Sequence, residues 1–99
     1  MTMEEALQKI RTWASHGTMR QFYTEISAKL ADTEYQVELD GDTVRCFRVR
    51  KEGGFLGIGA RKIKDVLLEL TRTEDTVKVD EEHMDPAFVE MLGGLLRQH

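Results

Sequence analysis

Lys62-Ile63-Lys64-Asp65-Val66-Leu67-Leu68-Glu69-Leu70-Thr71-Arg72 is the stretch on which the fold turns. Ile63, Val66, Leu67 and Leu70 recur at helical spacing, whereas Val66, Leu68 and Leu70 alternate as a strand does. Read as a strand over about 62–72, it leads through Thr73-Glu74-Asp75 into a clean short strand, Thr76-Val77-Lys78-Val79. Upstream, Asp40-Gly41 signals a two-residue hairpin loop, because both positions of such a loop need positive φ. That loop places Val37 opposite Val44 and Tyr35 opposite Cys46, and all four then share one side of the ribbon. The strand reading of 62–72 therefore completes a four-stranded antiparallel meander.

The second strand breaks its own alternation. Val44 and Cys46 have one parity, Phe47 and Val49 the other. A β-bulge near Cys46-Phe47 is the expected remedy, turning these four inward and leaving Arg45, Arg48 and Arg50 outward.

Helices flank the sheet. Thr2 and Glu5 form a capping-box pattern ahead of Met3, Ala6, Leu7, Ile10, Trp13 and Ala14, and Gly17 is a stop. Thr18 and Gln21 repeat the cap ahead of Phe22, Tyr23, Ile26 and Leu30. These patterns predict helices over about 3–16 and 19–31. Asp85-Pro86 supplies an N-cap and a first-turn proline for a last helix lined by Phe88, Met91, Leu92, Leu95 and Leu96, which Gly93-Gly94 weakens. The expected fold is one α+β domain over residues 1–99, with two N-terminal helices, a four-stranded antiparallel meander and a C-terminal helix, the helices packed mainly on one face.

Composition narrows the functional classes. The hydrophobic fraction is 40% and the charged fraction 32%, as in a globular protein and unlike a disordered one. No apolar run approaches the roughly 20 residues of a membrane span. The start, Met-Thr-Met-Glu-Glu, lacks the pattern of a signal peptide, and Cys46 is the single cysteine, so a reducing, cytoplasmic setting is expected. The net charge is -4, but residues 45–64 hold Arg45, Arg48, Arg50, Lys51, Arg61, Lys62 and Lys64 against Glu52 alone. That fifth of the chain carries half of the basic side chains, an asymmetry that either attracts acidic partners or makes a solvated ribbon neutralised by the protein's own acids, such as Glu34, Glu38 and Glu69.

Between the second and third strands lies Gly53-Gly54-Phe55-Leu56-Gly57-Ile58-Gly59. It lacks the Gly-Lys-Ser/Thr ending of a phosphate-binding P-loop, and its glycine order is the reverse of a dinucleotide fingerprint. Gly54-Phe55-Leu56-Gly57 matches a bare GXXG, without the flanking helices that motif requires. Two readings stand: backbone N–H groups approaching a phosphate, or a hairpin connection whose Phe55, Leu56 and Ile58 tuck into the core. Lys51 to Lys62, followed by an apolar segment, resembles the loop in the N-terminal domain of Jag (SpoIIIJ-associated) proteins, bacterial RNA-binding proteins. In that family the small α/β domain precedes a KH domain and a second nucleic-acid-binding domain, and neither is present in this sequence. The resemblance implies a bacterial source and a strand–loop–strand around Gly53–Gly59; RNA binding does not carry over with it.

No catalytic constellation is legible. His16, His83 and His99 are scattered, Ser15 and Ser27 lie within predicted helices, and Cys46 sits mid-strand as a small inert hydrophobe. Glu81, Glu82, His83 and Asp85 lack metal-ligand spacing and read as a solvated helix start. The expectation is a non-enzymatic binding or adaptor module without cofactor or metal. Its interaction surface is the basic hairpin: Arg45, Arg48, Arg50, Lys51, Arg61, Lys62 and Lys64, with Gly54, Phe55 and Gly57 in its loop. An acidic protein is the expected partner, nucleic acid the alternative, and no membrane is implied. The apolar stripe of the last helix is expected to pack on the sheet, with a homodimer or partner contact as the alternative.

Overall fold

Thr2 and Thr18 start the helices their sequence context predicts. In α1 (Met3–Ser15) the Thr2 hydroxyl accepts from the Glu5 N–H at 3.2 Å. In α2 (Met19–Lys29) the cap is reciprocal: Thr18 Oγ1 accepts from Gln21 N–H at 3.1 Å, and Gln21 Oε1 accepts from Thr18 N–H at 2.9 Å. Gly17 between them has φ +76, a backbone conformation that favours glycine, and a Cβ there would stand 2.0 Å from Gln21 Oε1, displacing that side chain from its capping bond. The computed structural model describes residues 2–53, 59 and 61–96, apart from the side chain of Glu52. Its remaining elements are β1 (Tyr35–Asp40), β2 (Thr43–Glu52), β3 (Arg61–Arg72), β4 (Val77–Val79), a 3-10 turn at Glu81–His83 and α3 (Pro86–Leu96).

The four strands form one antiparallel sheet in the order β1-β2-β3-β4. The α+β meander is thus the architecture, and residues 62–72 are strand. Alternation prevails there because Leu68 and Leu70, both 0% exposed, pack on one face against the helices. Ala6, Ile10 and Ala14 of α1, Phe22 and Ile26 of α2, and Phe88, Val89, Leu92 and Leu96 of α3 meet Val44, Cys46, Leu68, Leu70 and Val77 in a single core. Burial of each large side chain in it contributes about 1.5–3 kcal/mol. Tyr35 packs its ring on Phe88, with centroids 4.9 Å apart.

The hairpin register differs from the sequence reading. Asp40 pairs with Thr43, so the loop residues are Gly41 and Asp42, and Val37 faces Cys46 while Tyr35 faces Arg48. Gly41 takes the positive φ of the first loop position, +60, and Asp40 stays in the strand. The slide preserves parity, so Tyr35, Val37, Val44 and Cys46 still share the helix-facing side.

The ladder irregularity does fall at Cys46/Phe47, but the extra residue is on the opposite strand. Cys46 pairs with Leu68 and Phe47 with Val66, leaving Leu67 as the bulge, while β1 pairs with β2 without interruption. Phe47 and Val49 consequently remain on the face away from the helices, contrary to the expected inward turn. The bulge buries both Leu67 and Leu68, at 5% and 0% exposure. The Leu67 carbonyl accepts from Asp85 N–H at 2.8 Å, and Asp85 Oδ1 accepts from Ala87 N–H at 2.9 Å and Phe88 N–H at 3.3 Å. One residue thus caps α3 and ties it to the bulge.

Arg72 joins the layers at the other end. Its guanidinium donates to the carbonyls of Ser15, at 2.9 Å, and Gly17. α1 has no basic residue in its last turn, so β3 provides the cation that its C-terminal carbonyls favour.

Candidate functional site

β2 and β3 outrun their neighbours. β1 pairs no further along β2 than Arg48, and β4 pairs only with Leu70, Thr71 and Arg72 of β3. The pairs Val49↔Lys64, Arg50↔Ile63, Lys51↔Lys62 and Glu52↔Arg61 therefore form a two-stranded ribbon with no strand beside it among the described residues. At about 3.4 Å per residue the ribbon adds roughly 14 Å to the sheet, and the molecule is 48 Å along its longest axis against 29 and 25 Å across. No side chain described between 48 and 52 or between 61 and 66 is fully buried.

Paired residues share a face, and this rule divides the predicted basic residues. Arg48, Arg50 and Arg61 lie on the helix-side face with Ile63 and Asp65; Arg45, Lys51, Lys62 and Lys64 lie on the open face with Phe47, Val49 and Val66. The seven do not converge into one patch.

Their charges are used differently. Arg45 is held by two carboxylates: its Nε donates to Glu69 at 2.8 Å and its Nη1 to Glu38 at 2.5 Å. The hydrogen bond from Arg45 is the largest influence lowering the Glu38 pKa, and the bonds to Glu69 and Glu38 raise that of Arg45. Lys64 stands 3.7 Å from Glu38 and 4.7 Å from the centre of the Phe47 ring, a cation–π contact over a side chain only 4% exposed. Arg50 pairs with Asp65 at 2.7 Å. Lys51, Arg61 and Lys62 are exposed and make no ion pair among the described residues. Gly53 and Glu52 bring β2 to its end and Arg61 begins β3, so the glycine-rich segment connects two antiparallel strands. Gly54, Phe55 and Gly57 lie outside the described residues, as do Leu56, Ile58 and Ala60.

Asp65 and Phe47 were not among the predicted site residues. The parity of Asp65 with Arg50 across a bulged ladder has no local sequence signal, and Phe47 reads as core in any apolar count. The end of the sheet opposite the ribbon has the reverse sign: Asp40 at the end of β1, Asp42 in the β1–β2 turn and Glu74 and Asp75 in the β3–β4 turn are exposed, and Arg72 N–H donates to Asp42 O at 2.9 Å.

Other groups are placed as follows. Cys46 is 0% exposed, and burial pushes its thiol up to about 12, so it carries no thiolate at neutral pH. His83 Nδ1 lies 2.8 Å from Asp80 Oδ2; this contact raises the histidine and lowers the aspartate. Both are exposed enough that the pair is a surface contact. A shallow cleft of about 160 Å³ is lined by Ser15 and residues 72–77. Among the described residues no group of three or more His, Cys, Asp or Glu is arranged to hold a metal, and no helix is long and apolar enough to cross a membrane. On α3, Phe88, Leu92 and Leu96 are buried, and Met91 and Leu95 pack against the core, so most of its apolar stripe is covered within the chain.

Comparison of the chain with protein-family models, with curated proteins and with solved structures gives no match.

Proposed function

We propose that this protein is a non-enzymatic binding module whose β2–β3 ribbon engages an acidic protein partner. The observation that carries this reading is the contrast along the ribbon. Nearer the core, Arg45 and Arg50 are met by Glu38, Glu69 and Asp65, whereas Lys51, Arg61 and Lys62 project from a ribbon without flanking strands and find no acid among the described residues. Exposed like charges set side by side, as Lys51 and Lys62 are, repel across the strands and weaken the pairing. An arrangement that costs stability in isolation gains when an anionic surface docks between the two ammonium groups. The acidic turns at the far end of the sheet make the molecule dipolar, which orients it as such a partner approaches.

The test is fluorescence anisotropy with two labelled probes, a glutamate-rich peptide and a uridine-rich RNA of 20 nucleotides, each titrated at low and moderate salt. Binding of the peptide that is lost in the Lys51→Glu/Lys62→Glu variant supports the proposal. Binding of RNA with a steep salt slope and none of the peptide would overturn it in favour of nucleic-acid recognition.

A further inference from the structure

The ribbon offers more than charge. In an antiparallel ladder, residues that exchange both backbone bonds with the neighbouring strand alternate with residues whose N–H and C=O point away. On β3 the phase is fixed by its partners. Arg72 N–H donates inward to Asp42 O, whereas Glu69 O accepts from Asp80 N–H at 3.0 Å and Thr73 N–H donates to Thr76 O at 2.8 Å, both on the outer side. Beyond the Leu67 bulge the register shifts by one, so Asp65, Ile63 and Arg61 turn inward to Arg48, Arg50 and Glu52. Lys62, Lys64 and Val66 then direct their backbone groups outward, along an edge that no strand pairs with among the described residues.

Backbone and side chain coincide along this edge. Lys62 and Lys64, whose N–H and C=O groups point to this edge and pair with no strand among the described residues, also place their side chains on the open face. The residue between them, Ile63, faces the other way and is half-buried between Arg61 and Asp65. Lysines on an edge strand ordinarily discourage strand pairing. They discourage it selectively, because a strand carrying acids opposite them is favoured.

We infer that the β3 edge over Lys62–Val66 is a strand-addition site for an extended peptide that alternates acidic and apolar residues. Its acidic side chains lie opposite Lys62 and Lys64, and its apolar side chains lie on the Ile63 side; its backbone continues the sheet. A second copy of this chain is the poorer occupant. Two β3 edges paired about a two-fold axis would bring Lys62 and Lys64 of one chain against those of the other. The inference rests on the acidic-partner reading above and adds to it a backbone geometry that can fail separately.

The experiment uses the intact chain and four labelled ten-residue peptides at low salt, followed by anisotropy. One alternates glutamate and valine; one has the same composition with the two residues in separate blocks; two are alternating peptides N-methylated on every glutamate or on every valine. Residues opposite Lys62 and Lys64 direct their own N–H at the edge, so glutamate methylation should weaken binding at least tenfold, while valine methylation should change it less than threefold. The block peptide should bind at least tenfold more weakly than the alternating one. Equal binding by all four would overturn strand addition and leave the charge-driven reading intact. No binding by any of them would overturn both. A chain dimer in sedimentation that the alternating peptide dissociates would overturn the inference by assigning the edge to a second copy.

Discussion

Replacing Arg45 by alanine should destabilise the fold, although the residue lies in the most basic part of the sequence. Its guanidinium makes hydrogen bonds to Glu69 at 2.8 Å and Glu38 at 2.5 Å, and its side chain is 28% exposed, with the partners at 26% and 36%. Charge-assisted hydrogen bonds contribute roughly 1.5–3 kcal/mol each when buried, and exposed ion pairs about 0.2–1 kcal/mol. For a pair of contacts at this intermediate exposure, solvent screening brings the expected loss to about 1–2 kcal/mol, and removal of the cation leaves Glu38 on β1 and Glu69 on β3 without the guanidinium that joins them across β2. In a domain of this size that lowers Tm by roughly 5–15 °C. The assay is thermal and urea unfolding of the wild type and the variant as a function of pH. Arg45 holds Glu38 below the ordinary carboxylate range. A carboxylate whose pKa is lowered by folding contributes stability above its unfolded value and loses it as pH falls through the folded one. The gap between the two proteins should therefore be widest near neutral pH and should close at acid pH. A gap below about 0.3 kcal/mol at neutral pH, or one that widens as pH falls, would refute the structural role of this network and return Arg45 to the binding surface.

Other substitutions test other links. Gly17→Ala should cost about 2–3 kcal/mol, combining left-handed strain with displacement of Gln21 from its capping bond, read by urea unfolding. Gly94→Ala should stabilise by about 0.5–1 kcal/mol, since it removes helix-interior glycine entropy and its new methyl meets nothing within 4 Å. Cys46 should resist thiol reagents in the native state and react only through unfolding, because the thiol is buried with its pKa pushed up to about 12; prompt labelling would contradict its placement. Lys51→Ala and Lys62→Ala should each leave unfolding within about 0.5 kcal/mol of wild type, as neither side chain has an ion-pair partner among the described residues.

The fold was legible where local chemistry sufficed. Thr18 and Gln21 announce their capping box, Asp85-Pro86 announces α3, and the alternation of Leu68 and Leu70 outweighs the helical spacing of Ile63, Val66 and Leu67. Features set by distant partners were not legible. Glycine and aspartate both suit hairpin loops, so Asp40-Gly41 and Gly41-Asp42 compete, and the pairing of Asp40 with Thr43 decides between them. The parity break at Cys46-Phe47 marks the irregularity correctly, yet a bulge on either strand produces the same shift, and it is Leu67 that is extra, held by Asp85. Arg72 reaches Ser15 of α1 across 57 residues of sequence, and nothing near it indicates that. The same limit applies to the site. Charge counting finds the basic segment and the acids that could neutralise it, Glu38 and Glu69 among them, but cannot separate Arg45, which those two hold, from Lys51 and Lys62, which face each other across the strands.

Amide chemical-shift mapping of the isotope-labelled chain against the alternating glutamate–valine peptide tests the central claim most directly. The account predicts perturbations concentrated in residues 49–52 and 61–66, with little change in α1 and α3, and their loss in the Lys51→Glu/Lys62→Glu variant while its spectrum stays folded. Perturbations centred on α3 or on the cleft beside Arg72, with the ribbon unmoved, would contradict it.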